Sequence, residues 1–324
     1  MLLEDFQLNF ENIISEYKQV IDRELLNVYD DGPDNIREPI YHILKGGKRL
    51  RPILCKLVCL CCGADQESAN VPATSIELLH NFTLIHDDIM DNDILRHGRA
   101  TIHHKWDDSI AILSGDAMLA IALIRLGVIK ENKSIILEKF NNALIQVSEG
   151  QALDLQFQNM HNISEVEYLN MVDKKTGYMI GLSSEIGAII SNVKYDIQLK
   201  FKEYGMLIGR AFQIQDDLLE ITSNQEQMGK SLESDFLLNK KTYLTVKANS
   251  LNRDIVNNYI EISKNDFNLA FSLYKKFLED NGIVEESNIL INSITESARN
   301  ILEEINLDTG YLNKFTDLIL NRNS

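Results

Sequence analysis

Two short stretches of this chain set acidic residues into an apolar helical repeat. They read LIHDDIMD at residues 84–91 and QIQDDLLE at residues 213–220. In the first, Asp87 and Asp91 lie one helical turn apart and off the apolar stripe, and Asp216 and Glu220 repeat this arrangement in the second. A chain with this pattern must fold into helices that each carry two neighbouring carboxylates on one face.

The other periodic segments of the sequence also follow the 3.6-residue repeat of helices. No pair of alternating segments joined by an Asn-Gly or Asp-Gly turn is long enough to indicate a sheet. The breaks between segments are short, and no Pro-rich or Ser-rich linker divides the 324 residues. We therefore predict an all-α fold in which residues 1–324 form a single-domain bundle of roughly ten or more helices.

Charge and cysteine content indicate which partners and which cellular compartment suit the protein. The net charge of −16 and the pI near 4.9 disfavour nucleic acids and anionic membranes as partners, because both repel an acidic protein. The N-terminus lacks the features of a signal peptide, and Asp116 and Arg125 interrupt the most apolar window, residues 109–129. The cysteines all lie in CKLVCLCC at residues 55–62, which indicates reduced core thiols. We expect a cytoplasmic protein with no integral membrane segment.

The paired carboxylates indicate a bound cation. Acids at positions i and i+4 repel each other, and the repulsion grows when they are partly buried. A few hard oxygen ligands without a cage of backbone carbonyls suit Mg²⁺, which keeps several waters and takes phosphate oxygens into its shell. An acidic pair can instead cap a helix, and Asp107 or Asp108 in WDDS is interpreted as such a cap. Because both motifs lie in mid-helix, we predict that they share a metal site.

Further motifs surround the acidic ones. In chain order, the motifs are GGKRLRP (46–52), ELLHNFTLIHDDIMD (77–91), LRHGRATIH (95–103), LSGDAML (113–119), GQALDL (150–155), KTG (175–177), GRAFQIQDDLLE (209–220), GK (229–230) and SDFLLNKKT (234–242). From GGKRLRP to NKKTYL this order resembles the trans-polyprenyl diphosphate synthases, the farnesyl and geranylgeranyl diphosphate synthase-like enzymes. The resemblance implies the isoprenoid synthase type I fold, in which the helices surround a central cavity.

The resemblance also implies a role for each matched residue. The isopentenyl diphosphate site is matched by Lys48, Arg51 and His80. The ligands of the Mg²⁺ cluster are matched by Asp87, Asp91 and Asp216, with Asp88 and Asp217 as supporting candidates. The basic groups that clamp the allylic diphosphate are matched by Arg96, Lys175, Lys230 and Lys240. The oxygens that face the developing allylic cation are matched by Thr176 and Gln213, which with Lys175 make up the predicted catalytic set.

The reaction implied by the resemblance is an ionisation followed by a condensation. Mg²⁺, as three ions in the closed substrate complex, and the lysines neutralise the departing diphosphate, so that the carbon–oxygen bond ionises where water is excluded. The double bond of isopentenyl diphosphate then attacks the allylic cation. Loss of a proton leaves a product one isoprene unit longer. We therefore predict a prenyltransferase that binds isopentenyl diphosphate and an allylic diphosphate.

Three positions depart from the pattern of the family. His97 follows Arg96 where a second arginine is usual, Glu220 ends the second motif where aspartate is usual, and Ala100 replaces a common proline. His97 is only partly charged near neutral pH, so we expect it to bind isopentenyl diphosphate more weakly than arginine would. Glu220 keeps its charge, and we expect it to act through a bound water so that activity survives.

Product length in this family depends on bulky residues just before the first motif. Here Phe82 lies five positions before Asp87, and the smaller Thr83 follows it. The pattern resembles geranylgeranyl diphosphate synthases of the archaeal type, with farnesyl diphosphate as the other candidate product. Phe82 also belongs to the apolar stripe of its helix, so a packing role stays open.

Other functions share parts of this pattern. ELLH at residues 77–80 is a Glu-x-x-His sequence, as in di-iron four-helix bundles, but the chain has no second copy. A class I terpene cyclase shares the first acidic motif, yet it normally lacks GGKR and has a different second motif. The departures at His97 and Glu220 also leave open a noncatalytic partner subunit. The resemblance implies a homodimer.

Overall fold

The computed structural model describes residues 3–222 and 240–320, which are almost entirely helical. The helices are α1 (Leu3–Leu25), α2 (Asp34–Leu44), α3 (Leu50–Cys61), α4 (Asn70–Met90), α5 (Ile102–Lys105), α6 (Asp108–Gly127), α7 (Lys133–Gln158), α8 (Glu165–Val172), α9 (Tyr178–Ile190), α10 (Tyr195–Thr222), α11 (Tyr243–Ser263), α12 (Phe267–Asp280), α13 (Ile283–Glu303) and α14 (Gly310–Leu320). A 3₁₀ turn spans Gln66–Ala69, and a π-helical turn spans Asp173–Gly177. The prediction of an all-α fold is confirmed.

One short hairpin interrupts the helices. Strands β1 (Leu95–Arg96) and β2 (Arg99–Ala100) pair antiparallel, with Arg96 opposite Arg99. The two turn residues, His97 and Gly98, have φ values of 49° and 73°, as a type I′ turn requires. Histidine is among the residues that tolerate a left-handed backbone, so His-Gly serves here in place of Asn-Gly. The sequence analysis searched for Asn-Gly and Asp-Gly turns and therefore did not predict this hairpin.

The described residues fall into two compact units. The first takes in the described parts of Met1–Leu144, Met179–Lys202 and Ile305–Phe315, and the second takes in those of Ile145–Tyr178, Glu203–Glu304 and Thr316–Ser324. Helices α7 and α10 contribute residues to both units. That residues 1–324 form a single domain stays a prediction.

Helix α4 is the centre of the first unit. It packs against α1, α2, α3, α5 and α6. Because neighbours surround it, the buried residues run almost without a break from Pro72 to Leu79 and continue with Asn81, Ile85 and Asp88. Helix α1 shows the usual one-sided pattern, in which Phe10, Tyr17 and Ile21 face the core. The first acidic motif thus lies on the best-supported helix of its unit.

A buried arginine holds the loop between α2 and α3. Arg49 is 4% exposed, and its guanidinium donates to Glu77 on α4 and to Asp22 on α1, each at 2.8 Å, and also to the carbonyl oxygen of Leu44. Its φ of 55° lies in the left-handed region, which costs energy for a residue with a Cβ atom. A buried charge is tolerated only when it is paired and hydrogen-bonded, so these contacts fix Arg49 and the loop that precedes it.

The second unit has its own apolar core. Helix α11 packs against α8, α12 and α13, and the side chains of Tyr168, Leu218 and Tyr274 meet in the buried cluster. Helix α13 buries one stripe of side chains, which runs in chain order through Ile283, Ser287, Ile291, Ile294, Ala298 and Leu302. A capping box between Ser164 and Glu167 begins α8. This core supports α8, α10 and the π turn that follows α8.

Two glycines allow helices to press against the π turn. A Cβ atom on Gly150 of α7 would lie 2.4 Å from the backbone nitrogen of Lys175 and 2.8 Å from its Cα. A Cβ atom on Gly209 of α10 would lie 2.8 Å from the Cα of Gly177. Both neighbours are backbone atoms, which cannot move aside as the end of a side chain can. The position of the π turn therefore depends on the absence of side chains at these two places.

Helix α6 is long and apolar enough to cross a membrane when judged by length and composition alone. Its mean hydropathy is 1.8, and 39% of the apolar window is buried. Core helices of soluble proteins pass the same test, and α6 packs against α2, α4 and α5. Asp107 accepts a hydrogen bond from the backbone of Ile110 at 2.8 Å, which confirms the predicted N-cap.

The cysteines are free thiols, as the sequence indicated. Cys55 and Cys59 are fully buried, and Cys61 and Cys62 are partly buried. Burial raises the pKa of the Cys62 thiol to about 11. At neutral pH these groups are protonated, and they behave as small apolar side chains.

The close packing at Gly150 makes a stability prediction. We expect Gly150→Ala to lower the free energy of unfolding by about 1–3 kcal/mol, because the added methyl group overlaps the backbone of Lys175. Gly127→Ala is the matched control, since nothing lies within 4 Å of a Cβ atom there and alanine favours a helix. Urea denaturation measures both variants, and equal midpoints for the two would contradict the packing argument.

Candidate active site

Basic side chains cluster beside the first acidic motif, within the first unit. Arg51 of α3 donates to the Nε2 atom of His80 on α4 at 3.0 Å. Burial lowers the pKa of His80 well below its usual value, and the charges of Arg51 and Arg96 lower it further. His80 is therefore neutral at pH 7 in the ligand-free protein and accepts the hydrogen bond of Arg51.

The turn of the hairpin belongs to the same basic patch. Burial lowers the pKa of His97, and the nearby charges of Arg96 and Lys48 act in the same direction. His97 in turn contributes to the lowered pKa of His80. The structure thus brings together five of the residues predicted to bind diphosphate: Lys48, Arg51, His80, Arg96 and His97. A patch with this surplus of positive charge is suited to a phosphate anion.

The acids of the first motif are not equivalent. Asp88 is 1% exposed and accepts from the Nε of Arg96 at 2.6 Å. Burial raises the pKa of Asp88, and Arg96 opposes that rise. Asp87 and Asp91 stay partly accessible, and the backbone nitrogen of Asp91 donates to the carbonyl oxygen of Asp87 at 2.8 Å across the last turn of α4. The placement of Asp88 fits the supporting role predicted for it, because it holds Arg96 beside the motif.

The π turn presents Lys175 and Thr176 in the second unit. The Nζ of Lys175 donates to Asp154 of α7 at 2.5 Å, and Asp154 is 3% exposed. Arg210 of α10 makes a two-point ion pair with Asp173 at the start of the turn. π turns are rare and occur frequently at functional sites, and this one is held from two sides. Lys175 and Thr176 were both predicted site residues.

Gln151 is a candidate site residue that the sequence analysis did not assign. It lies one turn before Asp154 on α7 and is 5% exposed. Within residues 3–222 and 240–320, neither its side-chain oxygen nor its nitrogen has a hydrogen-bond partner. Buried amides are almost always hydrogen-bonded, so an unsatisfied one beside Asp154 and Lys175 calls for a ligand or a water. The signal in the sequence was the GQALDL motif, to which no role had been given.

A chain of hydrogen bonds links Thr176 to the second acidic motif. The Thr176 hydroxyl donates to the Gln213 side-chain oxygen at 3.0 Å, and the Gln213 amide donates to Asp217 at 3.1 Å. Asp217 also accepts from the Tyr168 hydroxyl and, at 2.7 Å, from the backbone of Tyr243. Burial raises the pKa of Asp217 to about 6 in spite of these donors. Asp217 fixes the orientation of Gln213, which fits its predicted supporting role.

The remaining predicted residues of the second unit have less defined surroundings. Asp216 and Glu220 lie one turn apart on α10 and are partly accessible, in contrast to the buried Asp217. The positive charge of Lys240 acts on Asp217. Lys230 lies outside the described residues.

The acids suit a magnesium ion that is completed by other oxygens. In the described part of the chain, no three His, Cys, Asp or Glu side chains are arranged to hold a metal by themselves. Mg²⁺ does not need such a cage, since it binds one or two carboxylates together with waters and phosphate oxygens. One carboxylate oxygen of Asp88 is buried without a hydrogen bond from any described residue. The donor set of each motif therefore fits Mg²⁺.

Phe82 lies on α4 one turn before the first acids. Its ring makes an edge-on contact with His86, with centroids 4.6 Å apart. Gly115 of α6 leaves room for His86, because a Cβ atom there would lie 2.5 Å from the imidazole Nε2. Phe82 is partly accessible, while the hydroxyl of Thr83 donates to the carbonyl of His80 at 2.7 Å within the helix. Phe82 therefore combines a supported ring with an accessible face.

Comparison with known proteins identifies the family of the chain. The polyprenyl synthetase family model matches residues 33–275. The chain is 39% identical to a short chain isoprenyl diphosphate synthase of Methanocaldococcus jannaschii, over 76% of each chain. It is 36% identical to a geranylgeranyl diphosphate synthase of Saccharolobus solfataricus, over 76% of this chain and 75% of the relative.

Comparison with solved structures agrees with the sequence comparison. The structure superposes on a geranylgeranyl pyrophosphate synthetase from Pyrococcus horikoshii with a TM-score of 0.90 and 27% identity, covering 98% of this chain and 99% of the other. The predicted isoprenoid synthase type I fold is thereby confirmed. Matches to sequence and structure over this much of the chain show that the protein belongs to the polyprenyl synthetase family and is a prenyltransferase.

Proposed function

We propose that the protein is a geranylgeranyl diphosphate synthase, which extends an allylic diphosphate with isopentenyl diphosphate. Several relatives carry that name, and others are named geranylfarnesyl diphosphate synthases. The basic patch beside Asp87 and Asp91 is the observation that carries the proposal. A protein with a net charge of −16 has little reason to gather Lys48, Arg51 and Arg96 around two imidazoles unless they bind an anion.

In this proposal Lys48, Arg51 and His97 bind the diphosphate of isopentenyl diphosphate. Arg51 makes a two-point contact that a lysine cannot make. His80 keeps Arg51 oriented through the hydrogen bond at 3.0 Å. Arg96 is held by Asp88 and supplies a fixed positive charge for the allylic diphosphate.

The residues of the π turn act on the allylic substrate. Lys175 and Lys240 bind its diphosphate, as does Lys230. The Thr176 hydroxyl donates a hydrogen bond to the side-chain oxygen of Gln213. The lone pairs of the hydroxyl oxygen therefore face a developing cation. Asp217 keeps the amide of Gln213 turned so that its oxygen points toward Thr176. These oxygens stabilise positive charge without acting as nucleophiles.

We propose Mg²⁺ as the cofactor, with three ions in the closed substrate complex. Asp87 and Asp91 bind it on α4, and Asp216 binds it on α10, where Glu220 contributes through a bound water. When bound, the metal neutralises negative charge on the leaving diphosphate. The side chains themselves set the position of that diphosphate and keep water from the reacting carbon.

We also propose that the enzyme is a cytoplasmic homodimer without an integral membrane segment. Helix α6 leaves Ile112, Leu113 and Ile124 exposed, between 46% and 70%. Apolar side chains grouped on one exposed helix are typical of protein interfaces, and a second copy of this chain is the partner we propose. The buried thiols fit a reducing compartment.

The test is turnover by the purified protein alone. It is incubated with radiolabelled isopentenyl diphosphate and with geranyl or farnesyl diphosphate, with Mg²⁺ or with EDTA. We expect a twenty-carbon alcohol after dephosphorylation, formed only with Mg²⁺. A fifteen- or twenty-five-carbon product would correct the chain length. Absence of product would instead favour a noncatalytic partner subunit.

Because the amide of Gln151 is buried without a described partner, its replacement should lower activity without lowering stability. We expect Gln151→Met to keep or raise the unfolding midpoint, because it removes a buried polar group that has no described partner. We expect kcat to fall by at least about tenfold if the amide contacts substrate or its water. Gln146→Met is the control on the same helix, since Gln146 accepts a hydrogen bond from Lys174 at 3.0 Å. A stability loss with unchanged kcat would show that Gln151 is structural.

Phe82 predicts a change of product. We expect Phe82→Ala to shift the products toward twenty-five carbons and longer, because the ring that limits the growing chain is removed. Leu84→Ala is the control, since it removes a similar volume from another face of α4. Chromatography of the dephosphorylated alcohols measures the distribution. An unaltered distribution would return Phe82 to a packing role.

Arginine in place of His97 should strengthen the binding of isopentenyl diphosphate, and the size of this effect should depend on pH. We expect His97→Arg to lower the KM for isopentenyl diphosphate about fivefold near pH 8, because a charged donor binds phosphate more strongly than a neutral one by about 1 kcal/mol. Burial and the charges of Arg96 and Lys48 lower the pKa of His97, so the wild-type side chain becomes charged only at acidic pH. The KM ratio of the two proteins should therefore approach one only as the pH falls below the lowered pKa of His97. A ratio of one at pH 8 would count against this role.

A further inference from the structure

The loop that carries Lys48 has little rigidity of its own. Gly46 and Gly47 precede Lys48 and have φ values of 88° and 95°. Glycine populates positive and negative φ about equally, so these two residues do not hold the loop in one conformation. Arg49 fixes the loop on the side that leads into α3. A site that binds diphosphate through Lys48 needs the other side of the loop fixed as well.

Arg99 supplies that second fixed point. Its Nη1 donates to the carbonyl oxygen of Lys45 at 2.5 Å, and its Nη2 donates to the carbonyl oxygen of His42. These are carbonyls at the C-terminal end of α2, which have no partner within the helix. A guanidinium is favoured there because the end of a helix carries partial negative charge. The two-point contact ties strand β2 to the residues just before Gly46.

His42 ties the same two segments together a second time. Its Nε2 donates to the carbonyl oxygen of Ala100 at 2.8 Å, the residue after Arg99. Its Nδ1 lies 3.4 Å from Arg99 Nη2 and from Lys105 Nζ, where the unprotonated nitrogen accepts. Burial lowers the pKa of His42, and the charges of Lys105, Arg99 and Lys45 lower it further, so the neutral form is present at pH 7.

The hairpin passes this restraint to the basic patch. Arg99 is the cross-strand partner of Arg96, and only His97 and Gly98 separate them. Arg99, two residues after His97, contacts Lys45, three residues before Lys48, so the loop and the turn lie close together. Displacement of strand β2 from α2 would therefore change the separation of Lys48 and His97. Arg96 would be affected less, because Asp88 holds it independently.

We propose that Arg99 is a positioning residue for isopentenyl diphosphate, a role that rests on the function proposed above. It does not contact the substrate. It sets the distance between Lys48 and His97 by joining the hairpin to the end of α2. The allylic diphosphate, bound through Lys175 and Lys240, does not depend on this joint.

The experiment compares Arg99→Ala, Arg99→Lys and Arg37→Ala in the full chain. Arg37 lines the same cavity of about 510 Å³ as Arg99 but pairs with Asp34, so it controls for the loss of one positive charge. We expect the KM for isopentenyl diphosphate to rise about tenfold or more in Arg99→Ala, with kcat and the KM of the allylic substrate changed less than twofold. Arg99→Lys should recover only part of the loss, because an ammonium cannot reach two carbonyls in a fork.

Calorimetric titration of isopentenyl diphosphate in EDTA provides a readout that does not need turnover. Weaker binding by Arg99→Ala but not by Arg37→Ala supports the proposal, even if the wild type forms no product and the proposed reaction fails. Equal binding by wild type and Arg99→Ala overturns it. An equal loss in Arg37→Ala would show a general attraction by charge instead. A matching rise in both KM values together with a lower melting temperature would show a structural role only.

Discussion

The buried ion pair between Arg49 and Glu77 is the contact on which the first unit depends. Both side chains are about 4% exposed, so neither charge is stabilised by water. Removal of Arg49 would leave the carboxylate of Glu77 buried without its cation, which typically costs about 3–5 kcal/mol. The pair fixes the start of α3 against α4, and Asp22 extends the contact to α1. Arg51 and His80 of the basic patch and the first acidic motif lie on the helices that this pair joins, α3 and α4.

The two acidic motifs look alike in sequence but have different chemical settings. In each, the second aspartate is buried, and the outer acids stay accessible. Asp88 has a cation, Arg96, as its partner. Among the described residues, Asp217 accepts its hydrogen bonds from the neutral donors Tyr168, Gln213 and the backbone of Tyr243, and burial raises its pKa to about 6. The buried aspartate anchors a basic residue in the first motif and a polar chain toward Thr176 in the second.

Much of this could be predicted from the sequence. Helical periods and short breaks gave an all-α fold, because the 3.6-residue pattern is strong in segments such as α4 and α13. Spacing brought Asp87 and Asp91 forward as candidates, and the resemblance to the family added Lys48 and Arg96. Recognition of the family relied on the order of whole motifs, which is more specific than any one of them.

Other features depend on contacts that no local pattern records. The π turn is set by Gly150 and Gly209 on distant helices, so periodicity alone could not predict it. Gln151 resembles any polar helix residue until its burial and its unsatisfied amide are seen. The charge state of His80 follows from burial beside Arg51 and could not be predicted from residue type alone.

The π turn at Asp173–Gly177 also bears on how this chain can change over generations. A π turn holds one more residue per turn than an α-helix, so deletion of a single codon would turn it into ordinary helix. Such a deletion would remove a residue from the turn and shift Lys175 or Thr176 relative to Asp154 and Gln213. A regular helix at this place would therefore lose the contacts that hold these two side chains.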